Sequence, residues 1–273
     1  GNRFRIVSFL LSEYRDLLAC VSASGWRFAS VVDYLSAGDE RRRFVILRHD
    51  VDRRPRKALE MARLEHALGV RSTYYFRIKR SGVFSSEVVR EIAALGHEVG
   101  VHYETLAACN GDFRKAIELF ERQLRDFRET ATCLTVSMHG SPLSRYDNQE
   151  LAQHIDYRRL GLVGDAVMHV APDAPYYFTD TGGRWNAQGA ANLRDQSGRS
   201  PPPGVVPGRA KAFCEFLASA DSAIYINAHP ERWTSSLADL LYSSAIDRTV
   251  RLIKGLVAAA RALKATGARR PAR

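Results

Sequence analysis

Arg43–Asp52 reads RFVILRHDVD, and the fold follows from it. Phe44 to Leu47 is a short apolar run with β-branched members, suited to a buried strand. It gives way to the polar residues 48–52. Pro55 then suits the first turn of a helix. That helix is expected to run to about Leu68, with Ala58, Met61, Leu64 and Leu68 on one face and Gly69 as its stop.

The same alternation continues toward the C-terminus. RSTYYFRI (71–78) is a second strand, and a helix from about Ser86 presents Val88, Ile92 and Leu95 before Gly96. HEVGVHY (97–103) is a third strand. Phe113, Ile117, Phe120, Leu124 and Phe127 recur at helical spacing. CLTVSMHG (133–140) is a fourth strand. Strand–helix alternation with short connections predicts a parallel α/β sheet or barrel.

The flanks are less regular. Residues 8–36 read as a helical region broken at Gly25. GLVGDAVMHV (161–170) and YYFTDTGGRW (176–185) suit strands or loops. Residues 192–209 are rich in Pro, Gly and charge and read as a long surface loop. A helix over about 208–219 and a strand in AIYINAHP (223–230) follow. A long C-terminal helix then carries Ile246, Val250, Ile253 and Val257 on one face. No internal repeat is visible. One domain over 1–273 is expected: a helical region at 1–43, a core at 44–233, a helix at 234–263 and a basic tail at 264–273.

Bulk composition narrows the function classes. The 273 residues are 45% hydrophobic and 26% charged, an ordinary globular balance. Lys and Arg exceed Asp and Glu by 40 to 30, partly through the tail RALKATGARRPAR (261–273). No RNA-recognition, helix-turn-helix or zinc-finger pattern accompanies the charge, so nucleic acid is not the expected partner. Cys20, Cys109, Cys133 and Cys214 form no CxxC pair, and they read as idle thiols of a reducing compartment. No stretch has the length of a membrane span. SFLLSEYRDLLACV (8–21) is an amphipathic helix without a signal cleavage site, although the chain starts at Gly1 and not at Met. A cytoplasmic location is the expectation.

The reactive side chains fall at the C-terminal sides of the expected strands, where parallel α/β folds carry their sites. Asp50 and Asp52 at i and i+2 point to one side of an extended segment. Two such carboxylates are costly together unless a cation or a shared proton relieves them. Glu98, Gly100, His102 and Glu104 share the face opposite Val99 and Val101, so His102 and Glu104 can meet the Asp pair. A borderline divalent ion such as Zn²⁺ takes imidazole and carboxylate readily. His97, next to Gly96, reads as structural. His139 ends the fourth strand, as a third ligand or a substrate contact, and Arg145 beyond it could hold an anionic or carbonyl group. His229 ends the last strand and suits proton donation. Asp180 could orient an imidazole. Arg184 and Trp185 complete TDTGGRW, and Trp185 and Trp233 suit either packing or stacking on a sugar face.

Taken together, these blocks resemble the polysaccharide deacetylase superfamily, the NodB-homology hydrolases related to carbohydrate esterase family 4, over roughly residues 44–233. The resemblance implies a distorted (β/α)7-type barrel with extra N- and C-terminal helices. It also implies divalent-metal-dependent removal of acyl groups from sugars. RHDVD is similar to the divergent form of the first motif, which makes Asp50 the catalytic base and Asp52 a metal ligand. GHEVGVHYETL (96–106) looks like the second motif, with His102 as its first metal His and Leu106 where the second belongs. His139 or Glu104 is then the candidate third ligand. HGSPLSRYDN is similar in place to the third motif, TDTGGRW to the block that orients the base, and NAHP to the last, so His229 becomes the acid. Arg145, Asp180, Arg184 and Trp185 are the expected substrate-side residues. The implied substrate is an N-acylated sugar of surface-polysaccharide or lipopolysaccharide (O-antigen) biosynthesis, including a nucleotide- or lipid-linked precursor. A small-amide C–N hydrolase and a non-catalytic glycan-binding relic remain the alternatives.

Overall fold

A computed structural model of the chain describes residues 9–38, 43–78, 85–142, 144–186, 194, 197–236, 238–242, 245, 249 and 252. In chain order the elements begin with α1 (Leu11–Ala23), β1 (Arg27–Ala29), α2 (Val31–Ser36), β2 (Phe44–Val51) and α3 (Pro55–Ala67). Next come β3 (Thr73–Arg77), α4 (Ser86–Ala94), β4 (Glu98–Tyr103), α5 (Thr105–Ala108) and α6 (Phe113–Arg128). The last are β5 (Thr135–Met138), α7 (Asn148–Ala152), β6 (Gly164–Asp165), β7 (Tyr176–Thr179), α8 (Ala210–Ser219) and β8 (Ile224–Ala228).

The strands form one eight-stranded sheet in the order β6-β5-β4-β3-β2-β8-β7, with β1 also paired to β2. Every pairing is parallel. β1 and β3 share one edge of β2: β1 lies beside Phe44–Ile46 and β3 beside Arg48–Val51. The sheet curls until Tyr225 of β8 donates its hydroxyl to the Ala166 carbonyl beyond β6, at 2.9 Å. The architecture is therefore the expected α/β distorted barrel.

Period-two alternation sorts β2. Val45 and Leu47 pack outward toward α1 and α8, and Val51 toward the α3–α4–α6 side. Ile46 joins the inner cluster with Tyr75 and Tyr225. On β4, Val99 and Val101 pack outward. Gly100 faces inward, where a Cβ would stand 2.4 Å from the Thr135 carbonyl oxygen and 2.8 Å from the Tyr75 ring. Only a glycine lets that ring and β5 come so close. Outside, α6 starts at Asp112, which accepts the Lys115 amide at 3.1 Å, and buries Phe120, Leu124 and Phe127. Each such side chain contributes about 1.5–3 kcal/mol by leaving water. Phe113, on the same expected stripe, stays exposed.

Several expectations need correction. β2 runs through Arg48, His49 and Asp50 to Val51, beyond the apolar run, because the polar residues pair with β3 and β8 and find buried partners. The N-terminal region is not purely helical, since Arg27–Ala29 adds to the sheet. Cys20 and Cys214 are not idle thiols: α1 and α8 lie side by side, with a Cα–Cα distance of 6.1 Å, and the two form a disulfide. No local spacing announces a pair so far apart in sequence. Among the described residues Cys109 and Cys133 are free. The described part of the 192–209 loop makes a parallel bridge from Arg199 to Tyr176. Ile246, Val250, Ile253 and Val257, and the basic tail, lie outside the described residues. No helix among the described residues is long and apolar enough to cross a membrane.

Candidate metal centre and its surroundings

Strand register levels the site. Arg77 of β3 pairs with His102 of β4, and His102 with Ser137 of β5. Arg48 of β2 pairs with Asn227 of β8. Asp52, just past β2, and His139, just past β5, complete the rim.

Asp52, His102 and His139 each offer one ligand atom, all within 4.8 Å of one another. His102 Nε2 is 3.7 Å from Asp52 Oδ1, and His139 Nε2 is 3.6 Å from the same oxygen. Donors around a tetrahedral ion with bonds of about 2.0–2.1 Å stand roughly 3.3 Å apart, close to the two distances measured from Asp52. Asp52 Oδ1 is buried and makes no hydrogen bond, so its lone pairs are left for an ion beside the Arg77 charge. His102 Nδ1 lies 3.1 Å from the Ser137 carbonyl oxygen, which can only accept, so the ring proton sits there and Nε2 is bare. Burial pushes His102 down to about 4, against the pull of Asp50 and Asp52, and keeps it neutral. Burial also opposes charge on His139, but Asp52 and Glu104 outweigh it and raise its pKa.

Glu104 lies beside this group with its oxygens turned to other partners. Arg77 Nη2 donates to both, at 2.6 Å each. Glu104 Oε2 is 3.1 Å from His139 Nδ1, and Ser141 Oγ donates to it at 3.0 Å. Arg77 Nη1 also stands 3.6 Å from Asp52 Oδ1.

Asp50 is buried behind the centre. Arg48 grips it with a fork, Nε to Oδ1 at 2.8 Å and Nη2 to Oδ2 at 2.6 Å, and Asn227 Nδ2 donates to Oδ2 at 3.0 Å. Burial alone would raise this carboxyl, but the Arg48 charge overrides it and brings it to about 2. Its Oδ2 is 3.7 Å from His102 Nε2.

A second cluster ends β7 and β8. Asp180 Oδ1 is 2.6 Å from His229 Nδ1. The same carboxylate accepts the His229 backbone N–H at 3.0 Å and the Trp233 indole N–H at 3.0 Å. Burial and Arg232 push His229 down, yet Asp180 prevails and lifts it to about 9. With Nδ1 engaged, Nε2 is the atom left to exchange a proton.

The other sequence candidates make no polar contact with these clusters among the described residues, although Trp185 packs on Trp233. Arg145 is exposed and stacks on the Tyr146 ring, 4.6 Å from its centroid. Arg184 is exposed. Trp185 is turned into the core, with ring centroids 6.1 Å from Phe9 and 6.0 Å from Trp233. Leu106, at the place of the second motif His, is fully buried among apolar side chains. His97 is structural as expected, with Nε2 at 2.9 Å from the Ala62 carbonyl.

Sequence reasoning missed Arg48, Asn227 and Arg77. Arg48 stands two residues before Asp50 on one strand, so the period that paired Asp50 with Asp52 also pointed to it. Arg77 ends β3, near the rim that carries the other site residues. Asn227 gave no signal until β8 was placed beside β2.

No family model matches the chain, and no curated protein matches it. Among solved structures it is similar to a Streptococcus mutans CE4 esterase, with a TM-score of 0.44 and 14% identity over 86% of this chain and 90% of that one.

Proposed function

We propose that the chain is a metal-dependent hydrolase that removes an N-acyl group, acetyl first among them, from a sugar or sugar precursor of surface-polysaccharide or lipopolysaccharide biosynthesis. The observation that carries this reading is the convergence of Asp52, His102 and His139, with Asp50 Oδ2 3.7 Å from His102 Nε2 and the His229 charge acting on Asp50. His139, and not Glu104, serves as the third ligand, because its Nε2 faces Asp52 while both Glu104 oxygens are held by Arg77. One carboxylate and two imidazoles suit Zn²⁺.

Bound there, a divalent ion would supply Lewis acidity toward the acyl carbonyl and a water of lowered pKa. Asp50 is the proton acceptor. The Arg48 fork keeps it ionised at neutral pH. His229, held by Asp180, gives its Nε2 proton to the departing amine. The imidazolium is available because Asp180 sustains it.

The test is acetate release from a panel of N-acetylated sugars, free, nucleotide-linked and lipid-linked, with small cyclic amides alongside. Chelation should abolish release, and Asp50→Asn should abolish it while leaving metal content intact. Release that survives both treatments contradicts the assignment. Turnover of the cyclic amides alone would move the substrate class.

A further inference from the structure

A histidine can ligate through Nε2 only when its ring proton sits on Nδ1. For His102 the Ser137 carbonyl settles this by itself. For His139 the surroundings compete. The Ser141 backbone N–H points at Nδ1 from 3.1 Å and favours a bare Nδ1. Asp52 Oδ1, 3.6 Å from Nε2, draws a proton to that atom. Both pulls favour the tautomer that cannot bind a metal.

The Ser141 pull is built into the backbone. Ser141 sits at φ 38, a left-handed conformation uncommon for a residue with a side chain. Asn148 Nδ2 donates to the His139 carbonyl at 2.7 Å and to Ser141 Oγ at 3.1 Å. Arg194 Nη1 donates to the Gly140 and Ser141 carbonyls at 2.9 and 3.1 Å. The turn is therefore fixed, and its amide cannot swing away from Nδ1.

Glu104 opposes both pulls. Its Oε2 stands 3.1 Å from Nδ1 and, as a carboxylate oxygen, only accepts; it also takes the hydroxyl proton of Ser141, whose Oγ then faces Nδ1 at 3.0 Å as a second acceptor. We propose that Glu104, held by Arg77, is a positioning residue that fixes His139 as the Nδ1–H tautomer and so turns its Nε2 lone pair toward Asp52 and His102. This rests on the metal-centre reading above and gives Glu104 a task other than ligation. Arg77 completes the device. It grips Glu104 through Nη2 and stands 3.6 Å from Asp52, so one guanidinium steadies a ligand directly and another through Glu104. Arg77 also dictates what a neutral isostere does. In Glu104→Gln the amide oxygen turns to the guanidinium, and the NH2 then faces His139 Nδ1 and favours the wrong tautomer.

The experiment is Zn²⁺ binding to the full chain by chelator competition, for the wild type, His139→Ala, Glu104→Gln and Arg77→Met, with far-UV circular dichroism to confirm folding. Long-range ¹H–¹⁵N spectra of the metal-free protein, taken at a pH where His139 is neutral, read its tautomer. Wild type should show Nδ1–H, and Glu104→Gln and Arg77→Met should each bind about 10–100-fold more weakly. Loss of tight binding in His139→Ala with wild-type affinity in Glu104→Gln overturns the role of Glu104 and leaves the metal centre standing. Wild type binding no better than His139→Ala overturns the metal-centre reading and this inference with it. A Glu104→Gln protein that fails to fold transfers the decision to Arg77→Met and to the wild-type spectra. There, a proton found on Nε2 contradicts the proposal.

Discussion

Asp52 Oδ1 and His139 Nε2 stand 3.6 Å apart at the ends of strands that are not neighbours in the sheet. β3 and β4 lie between them, and the curl of the sheet brings the two rims together. The position where the resembled motif has its second histidine is Leu106, buried in the outer core.

Restoring a histidine at Leu106 should therefore fail. Leu106→His places an imidazole among apolar neighbours, with an expected cost of about 1–3 kcal/mol for the buried polar group. Added to His139→Ala, it should not return zinc binding. Urea denaturation and chelator competition measure the two effects. Recovery of tight binding in the double variant would show that position 106 reaches the centre after all.

The acid cluster makes a prediction in pH. His229 is raised from its ordinary 6.5 to about 9, with burial opposing and Asp180 prevailing. Its protonated form persists through neutral pH, so kcat should fall only as pH rises through about 9. The stability it contributes is full below about 6.5 and is lost as pH rises through about 9. Asp180→Asn removes the sustaining charge and should move the alkaline limb of kcat to lower pH. An unmoved limb in that variant would separate His229 from the proton transfer.

The polar cluster behind β2 has a different task. Glu65 is fully buried and accepts from His49 Nε2 at 2.7 Å, Ser72 Oγ at 2.6 Å and Tyr74 OH at 2.7 Å, and from Tyr14. Burial opposes its charge, but His49 prevails and brings it to about 2. This lowered carboxyl contributes stability above about 4.5 that fades as pH falls toward about 2. Glu65→Ala should cost about 3 kcal/mol at neutral pH, with a smaller difference near pH 3. Equal losses at both pH values would show that packing, not charge, ties α1, α3 and β3 together there.

The residues explain how far the sequence could be read. FVIL at 44–47 announced β2 because a strand buried on both faces carries an unbroken apolar run. The proximity of Asp50, Asp52, His102 and His139 was legible because the C-terminal rim of a parallel sheet collects such residues. What escaped depended on distance along the chain. Cys20 meets Cys214, Asn227 meets Asp50, and Trp233 meets Asp180 only once β8 is placed between β2 and β7 and α8 beside α1. β1 escaped because three residues between two helices carry too little period to read. Trp185 was ambiguous for the ordinary reason that an indole suits a core as well as a sugar face.

The most direct measurement is an anomalous-difference map at the zinc edge from crystals grown with Zn²⁺. The account predicts one strong peak bonded to Asp52 Oδ1, His102 Nε2 and His139 Nε2 at about 2.0–2.2 Å, with Glu104 on Nδ1 of His139. A peak ligated by Glu104 in place of His139, or no peak among these three side chains, contradicts it.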